Sequence, residues 1–209
     1  MDDHSFKRVT DRLTVRQQAL LLTGRDLWHT APIHSSGIVP VMMTDGPNGL
    51  RKTDDTQLHS VKAVCYPNAC ATACSWNKEA MALLGNALAS ECKSERVSVL
   101  LGPGVNIKRT PLCGRNFEYF SEDPVLAGEL AASYIDGVQS NGIGTCIKHY
   151  ACNSTEVHRM SANSIVDERA LREIYLKAFE IAVKKSQPWM IMAAYNKVNG
   201  TLCTQNKEL

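Results

Sequence analysis

Four short apolar runs, each broken off by polar or turn-forming residues and separated from the next by a helical pattern, constrain this chain most. They are Pro40–Thr44 ending at Asp45-Gly46-Pro47, Val97–Leu101 closed by Gly102-Pro103-Gly104, Gly144–Ile147 leading into Lys148-His149, and Trp189–Ala194 leading into Tyr195-Asn196. The runs are continuous rather than alternating, so both faces of each strand must be covered, as in a parallel sheet with helices outside.

Local signals support the alternation. Thr14-Val15-Arg16-Gln17 has the spacing of a capping box, with Gly24 as the stop. A helix is expected from about Asn77 to Lys93, with Ala80, Leu83, Leu84, Ala87 and Leu88 on one face. Asp123 can cap another, with Pro124 in its first position and Asn141-Gly142 at its end. Asp167 can cap a third that runs through Lys185 to a stop at Pro188, with Leu171, Ile174, Ala178 and Ile181 at helical spacing. A fifth strand fits either 63–66 or 69–73. The fold class is therefore α/β. A (β/α)₈ barrel and a doubly wound open sheet both place ligands at the carboxyl ends of the strands, and periodicity does not choose between them.

Composition excludes several classes. The 209 residues suit one sizeable core, with 44% apolar and 21% charged residues and a net charge of +2. No basic patch points to nucleic acid, and no run has the apolar length of a membrane span. Met1–Arg8 has no apolar segment behind a basic start, so no signal peptide is read, and a cytoplasmic location is expected. The eight cysteines include Cys65-x4-Cys70-x3-Cys74 and His149-x2-Cys152 with Cys146 nearby. Neither matches structural zinc, and small buried thiols in a reducing compartment are the favoured reading, with no metal and no cofactor. No Gly-x-Ser-x-Gly elbow, P-loop or complete dinucleotide loop occurs.

Polar residues gather just past the strands. Asp45 can accept hydrogen bonds from vicinal hydroxyls, or simply cap amides of its own turn. Arg115 lies in a long loop, Cys113–Pro124, and its five-donor fork suits a diol or a carboxylate; pairing with Glu118, Glu122 or Asp123 is the alternative. Lys148 and His149 end a strand side by side, where alternation lets only one point along a given face. They are read as a site or as satisfied structural residues. Arg159, in the polar loop after Asn153, reads singly as a solvated surface residue. Tyr195 offers a hydroxyl beside a ring, for core packing or as a platform.

Several motifs in order resemble the glycoside hydrolase family 3 β-glucosidases. They are Thr44–Arg51, Gly102–Ile107, Cys113–Pro124, Ile147–Tyr150, Asp167–Tyr175 and Ala194–Gly200. The resemblance covers nearly the whole chain. It implies an N-terminal (β/α)₈-type barrel, a retaining mechanism, and a non-reducing sugar held by Asp45, Arg115, Lys148, His149, Arg159 and Tyr195. The family's nucleophile is an Asp in a Ser-Asp-Trp segment on the next strand, and its acid/base Glu comes from a later domain. No Ser-Asp-Trp occurs here. An N-acetylglucosaminidase branch carries a Lys-His-Phe-Pro-Gly type motif, whereas this chain has Lys148-His149-Tyr150-Ala151-Cys152. No catalytic residue is therefore assigned. The expectation is an incomplete barrel over 1–209 with four or five strands, lacking the later domains and ending before the nucleophile. The implied partner is a β-glucoside or related oligosaccharide. A catalytically dead sugar-binding remnant, or a non-functional truncation, is the alternative.

Overall fold

The computed structural model describes residues 9–54, 56 and 59–209. Helix α1 (Val15–Leu21) begins with the full capping box, the Thr14 hydroxyl accepting from the Gln17 amide, and stops at Leu22 before reaching Gly24. Strand β1 is Met43–Asp45, α2 is Ala69–Ala73, α3 is Lys78–Ser94, β2 is Val99–Leu101 and α4 is Pro124–Gln139. Next come β3 (Gly144–Tyr150), β4 (Asn163–Ser164) and α5 (Glu168–Ala170), which runs through a π turn (Leu171–Tyr175) into α6 (Lys177–Ser186). Strand β5 (Met190–Ala193) and a short hairpin, β6 (Lys197–Val198) and β7 (Thr201–Leu202), complete the order.

The main sheet has the order β1-β2-β3-β5 and is parallel throughout, with Thr44 opposite Leu100 and Ile147 opposite Ile191. Each strand is added on the same side of the last. A doubly wound sheet reverses direction at a switch point, and this one does not, so the winding is that of a (β/α) barrel. The fifth strand sought at 63–66 or 69–73 is absent. Residues 61–68 carry no regular structure, and 69–73 form α2 because Asn68 caps an alanine-rich turn by accepting from the Ala71 amide. A separate small sheet, β4-β6-β7, lies outside the sequence expectations.

Helices α3, α4 and α6 pack side by side over this sheet. Met81, Leu84 and Leu88 meet Leu130, Ala131, Ile135 and Phe179 above Leu100 and Ile147 in one continuous core. The buried stripe of α3 is Met81, Leu84, Gly85, Leu88, Ala89 and Cys92, and Leu83, expected inside, is exposed. Close helix approach sets that rotation. A Cβ on Gly137 would lie 2.3 Å from the Ala82 carbonyl oxygen, and one on Gly85 would lie 2.5 Å from that of Tyr134. The glycines must therefore face each other, and Leu83 is turned outward.

The last helix departs from its expected stripe for a different reason. The Leu176 amide bonds to the Leu171 carbonyl, five residues back, at the π turn. One extra residue per turn advances the face by about one position. Phe179 and Ala182 then become buried, and Ile174 is 40% exposed. Strand β5, expected as a buried run, is the outer strand of the sheet, and Met190 and Ile191 are exposed. Five cysteines are buried, whereas Cys65 and Cys74 are exposed and Cys70 is half-buried, so the reading of all eight as buried thiols fails for three. Among the described residues no helix is long and apolar enough to cross a membrane.

Candidate functional site

The carboxyl ends of the strands open into a cavity of about 670 Å³. Asp45 reaches it from the end of β1. Its position is fixed by a closed turn: the Arg51 amide donates to the Asp45 carbonyl at 2.8 Å, and the Thr44 hydroxyl donates to the Arg51 carbonyl at 2.7 Å. Gly46 makes this turn possible, with φ of +120° and no room for a Cβ, which would lie 2.0 Å from the Gly49 carbonyl oxygen. The Asp45 carboxylate does not cap its own turn. It faces the Lys148 ammonium, Oδ1 to Nζ 3.5 Å.

Lys148 and His149 both line the cavity, contrary to simple strand alternation. The ladder between β3 and β5 slips between Lys148 and Tyr150, which frees the pair from strict in-out order. The Asn106 side chain clamps the slip. Its Oδ1 accepts from the His149 amide at 2.8 Å and its Nδ2 donates to the His149 carbonyl at 2.9 Å.

Lys148 is 1% exposed and lies between two carboxylates, because Glu118 Oε2 is 3.4 Å from the same Nζ. The other oxygen of Glu118 accepts from Arg115 Nε. Glu118 is itself buried, so one carboxylate from the long loop ties together two cations of the site. Such an arrangement survives burial only because every charge is paired. Burial works against the charged Arg115 guanidinium, yet the Glu118 carboxylate outweighs it and raises the pKa above its ordinary value. Arg115 therefore pairs within its loop and also lines the cavity.

On the far wall, Arg159 Nη1 donates to Glu156 Oε2 at 2.8 Å, and its Cζ sits 5.3 Å from the centroid of the Tyr195 ring. Arg159 is thus a paired, stacked residue rather than a free surface cation. Tyr195 is exposed at the rim, which rules out core packing. His149 is buried, and its ring Nδ1 lies 3.0 Å from the Tyr119 hydroxyl. Burial, followed by the nearby Arg115, Lys148 and Arg159 cations, pushes its pKa down to about 2, so the imidazole is neutral at any ordinary pH.

All six residues singled out in the sequence line this one cavity: Asp45, Arg115, Lys148, His149, Arg159 and Tyr195. Sequence reasoning assigned no site role to Asn106, Tyr119, Asn153 or Glu156, and saw Glu118 only as a loop partner. Glu118 and Tyr119 were within the recognised loop, but no local pattern shows that they reach across to β3. Among the described residues no group of three His, Cys, Asp or Glu side chains is arranged to hold a metal.

The model of the glycosyl hydrolase family 3 N terminal domain matches residues 37–209. The chain belongs to this family. It is 55% identical over 209 residues to the thermostable beta-glucosidase B of Acetivibrio thermocellus, covering 98% of this chain and 28% of that protein. It is 49% identical to an exo-alpha-(1->6)-L-arabinopyranosidase of Bifidobacterium longum, covering 99% of this chain and 28% of the relative. Among solved structures, the beta-glucosidase of Kluyveromyces marxianus in complex with glucose superposes with a TM-score of 0.92 at 44% identity, covering 97% of this chain and 24% of that one. The glucose complex of beta-glucosidase 3B from Thermotoga neapolitana gives 0.89 at 44% identity, covering 96% and 30%. The family 3 chain thus spans less than a third of the length of these relatives.

Proposed function

We propose that this chain forms the sugar-binding part of the glycone subsite in a retaining β-glucosidase, acting on terminal non-reducing β-D-glucosyl residues. The observation that carries the reading is the convergence of Asp45, Lys148, His149, Arg115 and Arg159 on one half-open cavity at the strand ends. Asp45 offers only acceptors, Lys148 and the two arginines offer only donors, and Tyr195 gives an exposed ring at the mouth. A polyhydroxylated ring satisfies such a mixed set, because each hydroxyl both donates and accepts. A ligand lacking one of those hydroxyls leaves a buried group unpaired, which is how such sites discriminate.

Three carboxylates line the cavity, and each is tied to a cation: Asp45 to Lys148, Glu118 to Arg115 and Lys148, Glu156 to Arg159. They suit orientation better than attack at an anomeric carbon. The nucleophile and the acid/base are accordingly placed outside these 209 residues, and the isolated chain is expected to bind sugar without hydrolysing it.

Calorimetric titration with glucose tests the reading, comparing the protein with Asp45→Ala. Removing a charged hydrogen-bond acceptor should weaken binding roughly ten- to a hundredfold. Equal affinities would remove Asp45 from the subsite, and turnover of an aryl β-glucoside by the homogeneous 209-residue chain would refute the placement of the carboxylates.

A further inference from the structure

Behind His149 stands a row of linked side chains, buried at Tyr119 and Asn153 and reaching the cavity at Glu156. Tyr119 is fully buried, and its hydroxyl is shared by two neighbours, His149 Nδ1 at 3.0 Å and Asn153 Nδ2 at 3.0 Å. The same Asn153 Nδ2 lies 3.1 Å from Glu156 Oε1, and Glu156 is paired with Arg159 through its other oxygen. These contacts fix the direction of every proton in the row. A carboxylate only accepts, so the Asn153 atom facing Glu156 is its amide nitrogen. That nitrogen has two protons, one for Glu156 and one for the Tyr119 oxygen. The single Tyr119 proton then has one acceptor within reach, His149 Nδ1.

We infer that Tyr119, oriented by Asn153 and Glu156, is a positioning residue that holds His149 as the neutral tautomer bearing its proton on Nε2. The opposite tautomer would aim two protons at each other and leave a buried hydroxyl proton without an acceptor, which the protein interior penalises. Nε2 has no protein partner among the described residues, and the ring lines the cavity. His149 is therefore a fixed hydrogen-bond donor to whatever occupies the site. Together with Lys148 it demands acceptor oxygens on the ligand, while Asp45, beside Lys148, demands a proton. A sugar carrying an ammonium in place of the hydroxyl that meets His149 offers no acceptor there and is rejected.

The identity of the ligand rests on the proposed sugar-binding role, but the tautomer does not. The test is ¹⁵N spectroscopy of the purified protein labelled at histidine, with the His149 signals assigned by their loss in His149→Gln. The expected spectrum has Nδ1 in the bare, imine-type range and Nε2 in the protonated range, and Tyr119→Phe converts it to a mixture of the two tautomers. A wild-type ring protonated on Nδ1 overturns the inference without any variant having to fold. An unchanged spectrum in folded Tyr119→Phe overturns the role given to Tyr119. Saturating glucose should then move the Nε2 signal. If the tautomer is as described and glucose leaves Nε2 unmoved, the sugar-binding reading fails alone.

Discussion

Lowering the pH should destabilise this protein through His149 by an amount that the site dictates. In the unfolded chain the imidazole titrates near its ordinary value of about 6.5. In the folded protein, burial and the three cations Arg115, Lys148 and Arg159 hold it at about 2. Between these values the unfolded state binds a proton that the folded state refuses. Stability contributed by the neutral ring is therefore complete above the unfolded value and falls as pH drops, by about 1.4 kcal/mol per pH unit. At pH 5 the proton is still absent from the folded protein, so the loss depends on the unfolded value alone and comes to about 2 kcal/mol. Urea unfolding of reduced protein at a series of pH values from 8 to 5, with and without His149→Gln, reads this directly. The remaining titratable groups are common to both proteins, so their contribution largely cancels in the difference. The midpoint of the wild type should fall relative to the variant by roughly 1 M urea across that range. Parallel curves for the two proteins would refute the reasoning, because they would mean that the folded ring takes up its proton as readily as the unfolded one.

Other changes probe the rest of the framework. Glu118→Gln keeps the shape but leaves Arg115 and Lys148 without their shared anion; urea unfolding should show a loss of about 3–5 kcal/mol, and a loss below 1 would mean that the cations find water instead. Gly137→Ala places a Cβ against the Ala82 carbonyl and should cost about 1–3 kcal/mol or more by the same assay, whereas unaltered stability would show that α3 and α4 can part freely. Asp123→Ala removes the acceptor for the Val125 and Leu126 amides at the start of α4, for a loss of about 1 kcal/mol, with Asp123→Asn expected to restore most of it.

Much of the fold was legible because its signals are local. Asp123-Pro124 and the end at Asn141-Gly142 delimit α4 nearly to the residue, and α3, expected from about Asn77 to Lys93, runs from Lys78 to Ser94. The four strands of the main sheet lie where the apolar runs place them, within two or three residues. What escaped was set by contacts between distant segments. Leu83 has the periodicity of a core residue, but Gly85 and Gly137, fifty-two positions apart, decide which way α3 faces. The burial expected of the run at 189–194 failed because hydropathy records what a strand can bury, not whether a neighbour covers it. In the site, the chemistry of Asp45, Arg115, Lys148 and His149 was visible at the strand ends and in the loop. Arg159 gained its place from the family resemblance, and its contact with Tyr195 is between segments thirty-six residues apart. The pairing of Glu118 with Lys148 and of Tyr119 with His149 spans thirty residues each way, and nothing in the local pattern of either segment announces the other.

The π turn between α5 and α6 also bears on chain length. A regular helix of one residue fewer would connect the Asp167 cap to Phe179 in the same rotational phase, since the turn holds one residue that the following stripe does not use. Length in this helix is thus loosely specified at a single place and tightly specified on either side of it. A relative aligned with a one-residue gap inside Leu171–Tyr175 would keep the same buried face, whereas the same gap in α4 would turn Gly137 away from Ala82 and part the two helices.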